Sequence, residues 1–265
     1  MVVQAVGAWD STLTLQTMER DEELVRQYLS EQVEELRAAG ASAKMAFTRG
    51  EAAEGILSIA EREGADLVAI GTHGRSGVTR WLFGSVASRV LESSPIPVLF
   101  LHPRTGEDKG APGPVIKKIL VPVDGSEVAA SVIPAIEGFA RTMGASLVFF
   151  SAVAPITTYP GFETSQGAAI GDVMGEILEQ AKTVTGRAAE GAVANGIEAT
   201  SAVVLSSAVD GILQAADETN ADLIAIATHG RGGLGRAVLG SVADGVVRRS
   251  ADRPVLVIRP AGATD

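Results

Sequence analysis

Residues 222–241 read DLIAIATHGRGGLGRAVLGS, and residues 66–85 repeat the pattern as DLVAIGTHGRSGVTRWLFGS. Each stretch begins with a short apolar run, continues through Thr-His-Gly-Arg into a glycine-rich loop, and ends on Gly-Ser. At an offset of 156 residues, sixteen of the twenty-nine positions in 66–94 and 222–250 are identical. This density of matches indicates an internal repeat, which predicts that the chain contains one structural unit twice.

The composition is that of a globular chain. It has 265 residues, of which 46% are hydrophobic and 20% charged, enough for two buried cores. The formal net charge is −10 and the Lys and Arg residues form no cluster, which argues against nucleic acid as a partner. The chain has no cysteine, so disulfides, thiol catalysis and zinc–thiolate sites are excluded.

The sequence predicts neither a membrane span nor a secretory signal. Its longest apolar stretch, near 145–156, is too short to cross a bilayer. The first ten residues, MVVQAVGAWD, lack the positively charged region with which a secretory signal begins. We therefore expect a cytoplasmic protein with no membrane partner.

Strand and helix patterns alternate along both halves of the chain. The first half predicts strands at 1–8, 43–48, 67–71 and 97–101, and helices at 15–39, 52–63 and 85–93. The second half predicts strands at 116–123, 147–153, 199–205, 222–227 and 254–258, and helices ending near 143 and at 172–194, 208–218 and 241–250. The first helix is predicted to be amphipathic, because six apolar residues recur at three- and four-residue spacings with acidic residues opposite: Leu24, Val25, Tyr28, Leu29, Val33 and Leu36.

This order predicts an α/β protein with two tandem doubly wound parallel sheets, each Rossmann-like or flavodoxin-like. We assign residues 1–103 to a first domain that is incomplete at its N-terminus, and residues 115–260 to a complete second domain. Residues 104–114, RTGEDKGAPGP, hold Gly, Pro and charge without an apolar period and are interpreted as a linker.

The first domain lacks a counterpart of residues 116–146, which supply strand 1 and helix 1 of the second domain. In a sheet of order 3-2-1-4-5 the first strand is central, so its loss leaves strands 2 and 4 with unpaired edges. Three explanations are open: a start codon placed too far downstream, closure of the two strands on each other, or another segment in the gap. We favour the first.

The glycine-rich loop suits an anion. It follows a buried strand at the carboxyl end of the sheet, where open α/β sheets bind ligands. Its glycines remove side chains that would block close backbone approach, and Ser241 is predicted to cap the helix that follows. Exposed N–H groups at a helix start favour a phosphate. The chain has no GxxxxGK[ST] motif, and the GxGxxG match at 230–235 follows strand 4 rather than strand 1.

The spacing Gly-x2-Gly-x9-Gly-[Ser/Thr] resembles the ATP-binding signature of universal stress proteins. The first repeat has it in full, as Gly71, Gly74, Gly84 and Ser85. The second repeat has Ala227, Gly230, Gly240 and Ser241, with alanine in place of the first glycine. The resemblance extends over nearly the whole chain, including ILVPVDGS at 119–126 and PVLVI at 254–258. The chain is thus similar to a tandem universal stress protein whose first unit is cut short.

The resemblance implies a nucleotide site in the second repeat. It implies that Asp124 meets the ribose and adenosine, with Pro122 and Val123 beside the base. It implies that backbone near Ala152 and Val153 meets adenine. It further implies that the phosphates are held by Gly230, Gly240, Ser241 and Val242. We expect this second site to bind and the first, which has no counterpart of Asp124, to be weak or empty.

Simpler interpretations exist for several of these residues. Asp124 in Asp-Gly-Ser suits a turn or a helix start without any ligand. His73 and His229 have no acidic or nucleophilic partner at a telling spacing, so we expect structural roles and assign no catalytic residue.

The function predicted from the sequence is therefore that of a regulatory protein in stress response or signalling. It would hold ATP or ADP, with or without Mg, and act through conformation or partners. The resemblance also implies pairing of 97–101 with 254–258 within one chain, as an intrachain pseudo-dimer, and allows homo-oligomers. The alternatives are an interaction module that binds no nucleotide, and a slow ATP hydrolase using Thr228, His229 or Arg231.

Overall fold

The structure, a computed structural model, describes residues 2–5, 15–71, 84–101, 115–155, 166–228, 239–250 and 253–260. The strands are β1 (Val2–Ala5), β2 (Met45–Thr48), β3 (Val68–Gly71), β4 (Val98–Leu101), β5 (Lys118–Pro122), β6 (Ser146–Val153), β7 (Ala199–Leu205), β8 (Leu223–Ala227) and β9 (Val255–Ile258). The helices are α1 (Leu15–Ala38), α2 (Ala52–Arg62), α3 (Ser85–Ser93), α4 (Glu127–Ser131), α5 (Ile133–Met143), α6 (Gln166–Ala194), α7 (Ala208–Glu218) and α8 (Ser241–Arg249).

The second repeat forms a doubly wound sheet. Its five strands lie in the order β9-β8-β5-β6-β7, which in repeat numbering is 5-4-1-2-3, and the pairs within it are parallel. The predicted α/β class is confirmed, with β5 as the central strand. The order reverses at β5, which makes the carboxyl ends of β5 and its neighbours the expected ligand crevice.

Continuous apolar runs explain why these strands are central. All five residues of β8 are buried, and Ile119, Leu120 and Val121 of β5 are at most 1% exposed. A parallel strand covered by helices on both faces requires such a run rather than an alternating one. Helix α5 ends at Gly144, whose φ of +64° is the left-handed conformation that suits glycine at a helix end.

The strands of the first repeat are divided between two sheets. β1 and β2 form a two-stranded parallel sheet, while β3 and β4 extend the sheet of the second repeat to seven strands, in the order β3-β4-β9-β8-β5-β6-β7. The strand arrangement of the first repeat therefore differs from that of the second. The physical reason is the missing central strand, because β1 and β3 have no common partner between them. Closure of β1 onto β3 is not observed either, since they belong to different sheets.

Packing divides the described residues into two compact units. The smaller unit contains the residues up to Val68 and Ser85–Ser94, and the larger contains the remainder. The assignment of domains to 1–103 and 115–260 stays a prediction.

The predicted pairing of 97–101 with 254–258 is observed between β4 and β9. The two strands are antiparallel, with Val98, Leu99 and Phe100 opposite Val257, Leu256 and Val255. A strand of the first repeat is thus hydrogen-bonded to the last strand of the second within one chain.

Helix α1 buries a narrow stripe of its apolar residues. Val25, Leu29 and Val33 are at most 6% exposed, whereas Leu24, Tyr28 and Leu36 are 52%, 44% and 38% exposed. The buried stripe thus contains three of the six apolar residues that recur at helical spacing. In the smaller unit this helix packs against the short strands β1 and β2, which cover a single stripe.

Among the described helices, none is both long enough and apolar enough to cross a membrane.

Candidate functional site

A cavity of about 350 Å³ lies at the carboxyl ends of β5, β6 and β8. Most of the site residues predicted in the second repeat line it: Pro122, Val123, Asp124, Ala152, Ala227, Gly240, Ser241 and Val242. Gly230 lies outside the described residues. The tertiary structure thus brings together segments more than a hundred residues apart, at the crevice expected of this sheet order.

Strands β5 and β8 separate where the cavity begins. Their register includes Ile119 with Leu223 and Leu120 with Ile224, whereas β5 stays paired with β6 as far as Pro122 opposite Phe150. Pro122 has no N–H with which to continue a ladder. The backbone groups of alternate residues along β5 point toward β8, and those of residue 122 are among them. A proline at this position therefore ends the hydrogen bonding to β8 and leaves the crevice open.

The wall formed by β6 presents the backbone N–H and C=O of one residue to the cavity. Residues along a parallel strand direct their backbone groups to alternate neighbours. The carbonyl of Phe150 accepts from Val123 N at 2.8 Å on the β5 side, and the carbonyl of Val153 accepts from Ser206 N at 2.9 Å on the β7 side. Ala152 therefore directs its N–H and C=O toward β5, which has already ended, and among the described residues neither group has a backbone partner. A donor and an acceptor side by side are left for a ligand.

Val153, also predicted to meet a base, is placed differently. Its carbonyl is engaged by Ser206, and its backbone groups face β7 rather than the cavity. Of the two residues, Ala152 is the one that can offer its peptide edge to a ligand.

Asp124 holds the turn that follows β5. Its Oδ1 accepts a hydrogen bond from Ser126 N at 2.9 Å and another from Ser126 Oγ at 2.6 Å. Gly125 between them has a φ of +77°, and Ser126 Oγ accepts from Ala129 N at 3.1 Å as the N-cap of α4. The carboxylate thus has the structural role that Asp-Gly-Ser indicated, and at the same time it lines the cavity.

The opposite wall is the amino end of α8. Gly240 is the N-cap residue and Ser241 the first helical residue, so the prediction that Ser241 caps this helix is corrected by one position. Gly240 N donates to Thr228 O at 2.7 Å, which fixes the end of the loop to the end of β8. The amides of Ser241, Val242 and Ala243 have no partner within the helix by its geometry, and these three residues line the cavity. Together with the helix dipole they favour an anion.

Ala227, the residue that departs from the glycine pattern, is the last residue of β8. It is 7% exposed and lines the cavity. Thr228 beside it donates its N–H to Ile258 O at 2.9 Å, toward β9, so Ala227 directs its backbone toward β5. The methyl group is accommodated without displacing β8, which stays in register with β9 to its end.

Sequence reasoning missed the wall contributed by α7. Ala208 and Ile212, four residues apart on one helix face, line the cavity together with Phe150 and Ile226. The signal was present as an apolar pair in the first turns of a helix that follows strand 3. Only the crossing of α7 over the end of β6 reveals that this face meets the ligand crevice.

Few ionisable or polar side chains belong to the described residues that line the cavity. Among the described lining residues, Asp124 has the only ionisable side chain, and the other polar side chains are the hydroxyls of Ser151, Thr228 and Ser241. The described part of the chain contains no group of three or more His, Asp or Glu residues that would hold a metal ion. His229 and Arg231, considered for hydrolysis, lie outside the described residues.

The predicted residues of the first repeat are not brought into one described site. Gly71 is the last residue of β3, and Gly84 immediately precedes Ser85, the first residue of α3. Gly74 and His73 lie outside the described residues. β3 lies in the sheet of the larger unit whereas α3 belongs to the smaller one, so a first nucleotide site stays a prediction.

Comparison with known families gives one clear match. The model of the universal stress protein family matches residues 2–102 and 116–259. Universal stress protein Rv2005c of Mycobacterium tuberculosis is 27% identical over 197 residues, which are 74% of this chain and 62% of that protein. This chain therefore spans less than two thirds of the length of its mycobacterial relatives. A universal stress protein of Thermus aquaticus is 33% identical over 149 residues, 55% of this chain and all of that protein.

Solved structures show the same fold. The crystal structure of a universal stress protein from Archaeoglobus fulgidus has a TM-score of 0.62 at 22% identity and covers 98% of this chain and 88% of that one. A universal stress protein structure from Pseudomonas aeruginosa has a TM-score of 0.59 at 19% identity, with 98% of this chain and 94% of that one covered.

Proposed function

This chain belongs to the universal stress protein family, and from that premise we propose that its second repeat binds an adenine nucleotide in the cavity between β5, β6 and β8. ATP or ADP, with or without Mg, is the ligand class, and the bound state acts in stress response or signalling through conformation or partner binding. The intrachain pairing of β4 with β9 supports a pseudo-dimer of the two repeats.

The observation that carries the proposal is the backbone N–H and C=O of Ala152, the peptide edge that faces one end of the cavity. One N–H and one C=O in a row complement the acceptor and donor on the Watson–Crick edge of adenine. The surrounding wall of Pro122, Ala208 and Ile212 is apolar, as expected around a planar base.

The other end of the cavity is suited to phosphates. The first amides of α8 and the hydroxyl of Ser241 line it, and the dipole of α8 places partial positive charge there. Asp124, in the turn after β5, also lines the cavity, and a carboxylate is an acceptor for ribose hydroxyls. Base, sugar and phosphate each have a complementary group, which supports a nucleotide rather than a free base or a free phosphate.

Two experiments test the proposal: identification of the ligand bound to the native protein, and measurement of ATP binding by a variant whose cavity is filled by a larger side chain. Mass spectrometry of small molecules released from native protein is expected to detect an adenine nucleotide, and added ATP is expected to raise the melting temperature. In Ala208→Phe, a phenyl ring at the first helical position of α7 fills the base end, and the shift caused by ATP is expected to disappear. Ala194→Phe, at an exposed position of α6, is the matched control and keeps the shift.

Absence of nucleotide from native protein, together with no thermal shift on addition of ATP, contradicts the proposal. The alternative function is that of an interaction module that binds no nucleotide. One observation favours it: the Asp124 carboxylate accepts hydrogen bonds within its own turn, which accounts for that residue without a ligand. Under that alternative, Ala208→Phe leaves oligomeric mass and partner binding unchanged, measured by light scattering and pull-down.

A further inference from the structure

Helix α7 lies unusually close to the strands at the base end of the cavity, and Gly211 makes this possible. A β-carbon built on Gly211 would lie 3.0 Å from the β-carbon of Ala152 and 3.1 Å from that of Ser206. It would also lie 3.2 Å from Cγ1 of Val204. Two of these atoms are β-carbons fixed to the backbone, so they cannot rotate away. A larger residue at this position therefore requires the neighbouring atoms to shift by a few tenths of an ångström.

The same helix face lines the cavity. Ala208, Gly211 and Ile212 follow each other at helical spacing, so all three point toward the end of β6. Gly211 meets Ala152, the residue whose peptide edge faces the cavity, and Ala208 and Ile212 form the wall beside it. The distance between α7 and β6 at Gly211 thus sets the width available to a planar base.

Helix α7 also packs against α8. A β-carbon built on Gly245 of α8 would lie 2.8 Å from Cγ2 of Val209, so α7 and α8 are in close contact. Arg249 of α8 donates to Asp210 Oδ1 at 2.6 Å, between the same two helices. A displacement of α7 relative to β6 therefore also changes these contacts with α8, whose first residues line the same cavity.

The glycine recurs in the first repeat at the same offset of 156 residues. A β-carbon built on Gly55 of α2 would clash with Cγ2 of Thr48, at the end of β2. Close approach of this helix to the strand before it is thus a property of both repeats. Of the two glycines, only Gly211 lies beside the described cavity. Gly55 is therefore a matched control: it has the same close contact between helix and strand but no cavity next to it.

We propose that Gly211 is a positioning residue that sets the width of the base-binding end of the cavity by letting α7 lie against Ala152. This inference rests on the proposed nucleotide function. In this proposal Gly211 does not touch the ligand. It controls the affinity for the base and leaves the affinity for the phosphates unchanged.

The test is Gly211→Ala, with binding of ATP and of adenosine measured by calorimetry or by competition. Overpacking at this contact is expected to weaken both ligands by about tenfold. Because the change lies at the base end, the ratio of ATP to adenosine affinity is expected to stay as in the wild type. A general loss of structure would instead change that ratio or remove cooperative unfolding.

Four further variants complete the design. Gly191→Ala, on α6 with nothing near its added methyl, is expected to keep both affinities, and Gly55→Ala is expected to lower stability but keep them. The double variant Gly211→Ala/Ala152→Gly lacks the β-carbon nearest to the added methyl group. Its ATP and adenosine affinities are expected to equal those of the single variant Ala152→Gly, which serves as its reference. If Gly211→Ala unfolds, this double variant provides the measurement.

Failure of the wild type to bind either ligand contradicts the proposed function. Normal binding by the wild type together with unchanged binding by Gly211→Ala, or with a loss confined to ATP, overturns the inference about Gly211.

Discussion

At the residue scale, Asp124 combines a structural and a proposed binding role, and the two are separable. Its Oδ1 accepts two hydrogen bonds from Ser126, which in turn caps α4 through Ala129 N. Asparagine retains an oxygen that accepts the same bonds but has no charge, whereas alanine removes the acceptor.

We predict that Asp124→Ala lowers the free energy of unfolding by about 1–3 kcal/mol, because hydrogen bonds to a charged group are lost. Asp124→Asn is expected to lose less than half of that. Both variants are expected to weaken ATP binding, because a carboxylate is the stronger acceptor for ribose hydroxyls. Urea unfolding and calorimetry measure the two quantities.

Equal stability of Asp124→Ala and wild type would show that the turn does not depend on this carboxylate. Wild-type ATP affinity in both variants would leave Asp124 with a structural role alone. Asp172→Asn, at an exposed position of α6, controls for the change in net charge.

At the scale of elements, α7 and α8 act as a pair around the cavity. The ion pair of Asp210 with Arg249 connects them, and Ser207 Oγ donates to Asp210 Oδ2 at 2.5 Å at the N-cap of α7. The hydrogen bond from Ser207, and then the one from Arg249, lower the pKa of Asp210 below its ordinary value of 3.8. A carboxyl group whose pKa is lowered by folding contributes stability above its unfolded pKa, and loses it as pH falls through the folded value.

We predict that Asp210→Asn is less stable than the wild type at pH 7 and that the difference in melting temperature shrinks as pH falls below about 4. Melting curves from pH 7 to pH 3 measure it. Salt is expected to reduce the difference at pH 7, because the pair with Arg249 is exposed.

A difference between the two proteins that stays constant, or grows, as the pH is lowered would contradict this account. Asp172→Asn again serves as the control and is expected to leave the melting temperature at pH 7 nearly unchanged, as most exposed substitutions do.

At the scale of the whole molecule, two strands of the first repeat, β3 and β4, lie in the sheet of the second. Phe100 of β4 is fully buried, although it belongs to the first repeat, and it pairs with Val255 of β9 in the second. The core around the second repeat is therefore completed by a strand from the first.

We predict that Phe100→Ala lowers the free energy of unfolding by about 3–5 kcal/mol, because a large buried side chain is removed from the shared sheet. Leu101→Ala, one residue further in the same strand and 37% exposed, is the matched control and is expected to cost much less. Urea unfolding followed by circular dichroism measures both.

The expected destabilisation has a consequence for binding. β9 is hydrogen-bonded to β8, and β8 ends at Ala227 in the cavity wall, so Phe100→Ala is also expected to reduce the thermal shift caused by ATP. Equal stability of the Phe100 and Leu101 variants would contradict a shared core.

Much of the fold was predictable from local patterns. The apolar run of β8, the turn residues Asp124-Gly125-Ser126 and the helix start after Gly240 each carry a signal within a few residues. The family followed from a loop spacing that is also local. The cap of α8 was misassigned by one residue because Gly and Ser are both accepted at an N-cap.

The wider arrangement was not predictable in this way. The exposure of Leu24, Tyr28 and Leu36 depends on how much strand α1 has to cover, which its own sequence does not encode. Ala208 and Ile212 read as ordinary core positions, and only the crossing of α7 over β6 puts them at the cavity. The engagement of Val153 by Ser206, which leaves Ala152 to face the cavity, depends on the register of β6 between two neighbours.

The sequence by itself determined that the chain has one unit twice, that strands and helices alternate, and that a glycine loop with Gly240-Ser241 begins a helix. These properties depend on periodicity and on the backbone preferences of single residues, which are local. The tertiary structure alone decided that β3 and β4 join the sheet of the second repeat, and that Pro122, Ala152, Ala208 and Ser241 meet around one cavity. Strand pairing and helix crossing bring together residues far apart in sequence, so no local pattern specifies them.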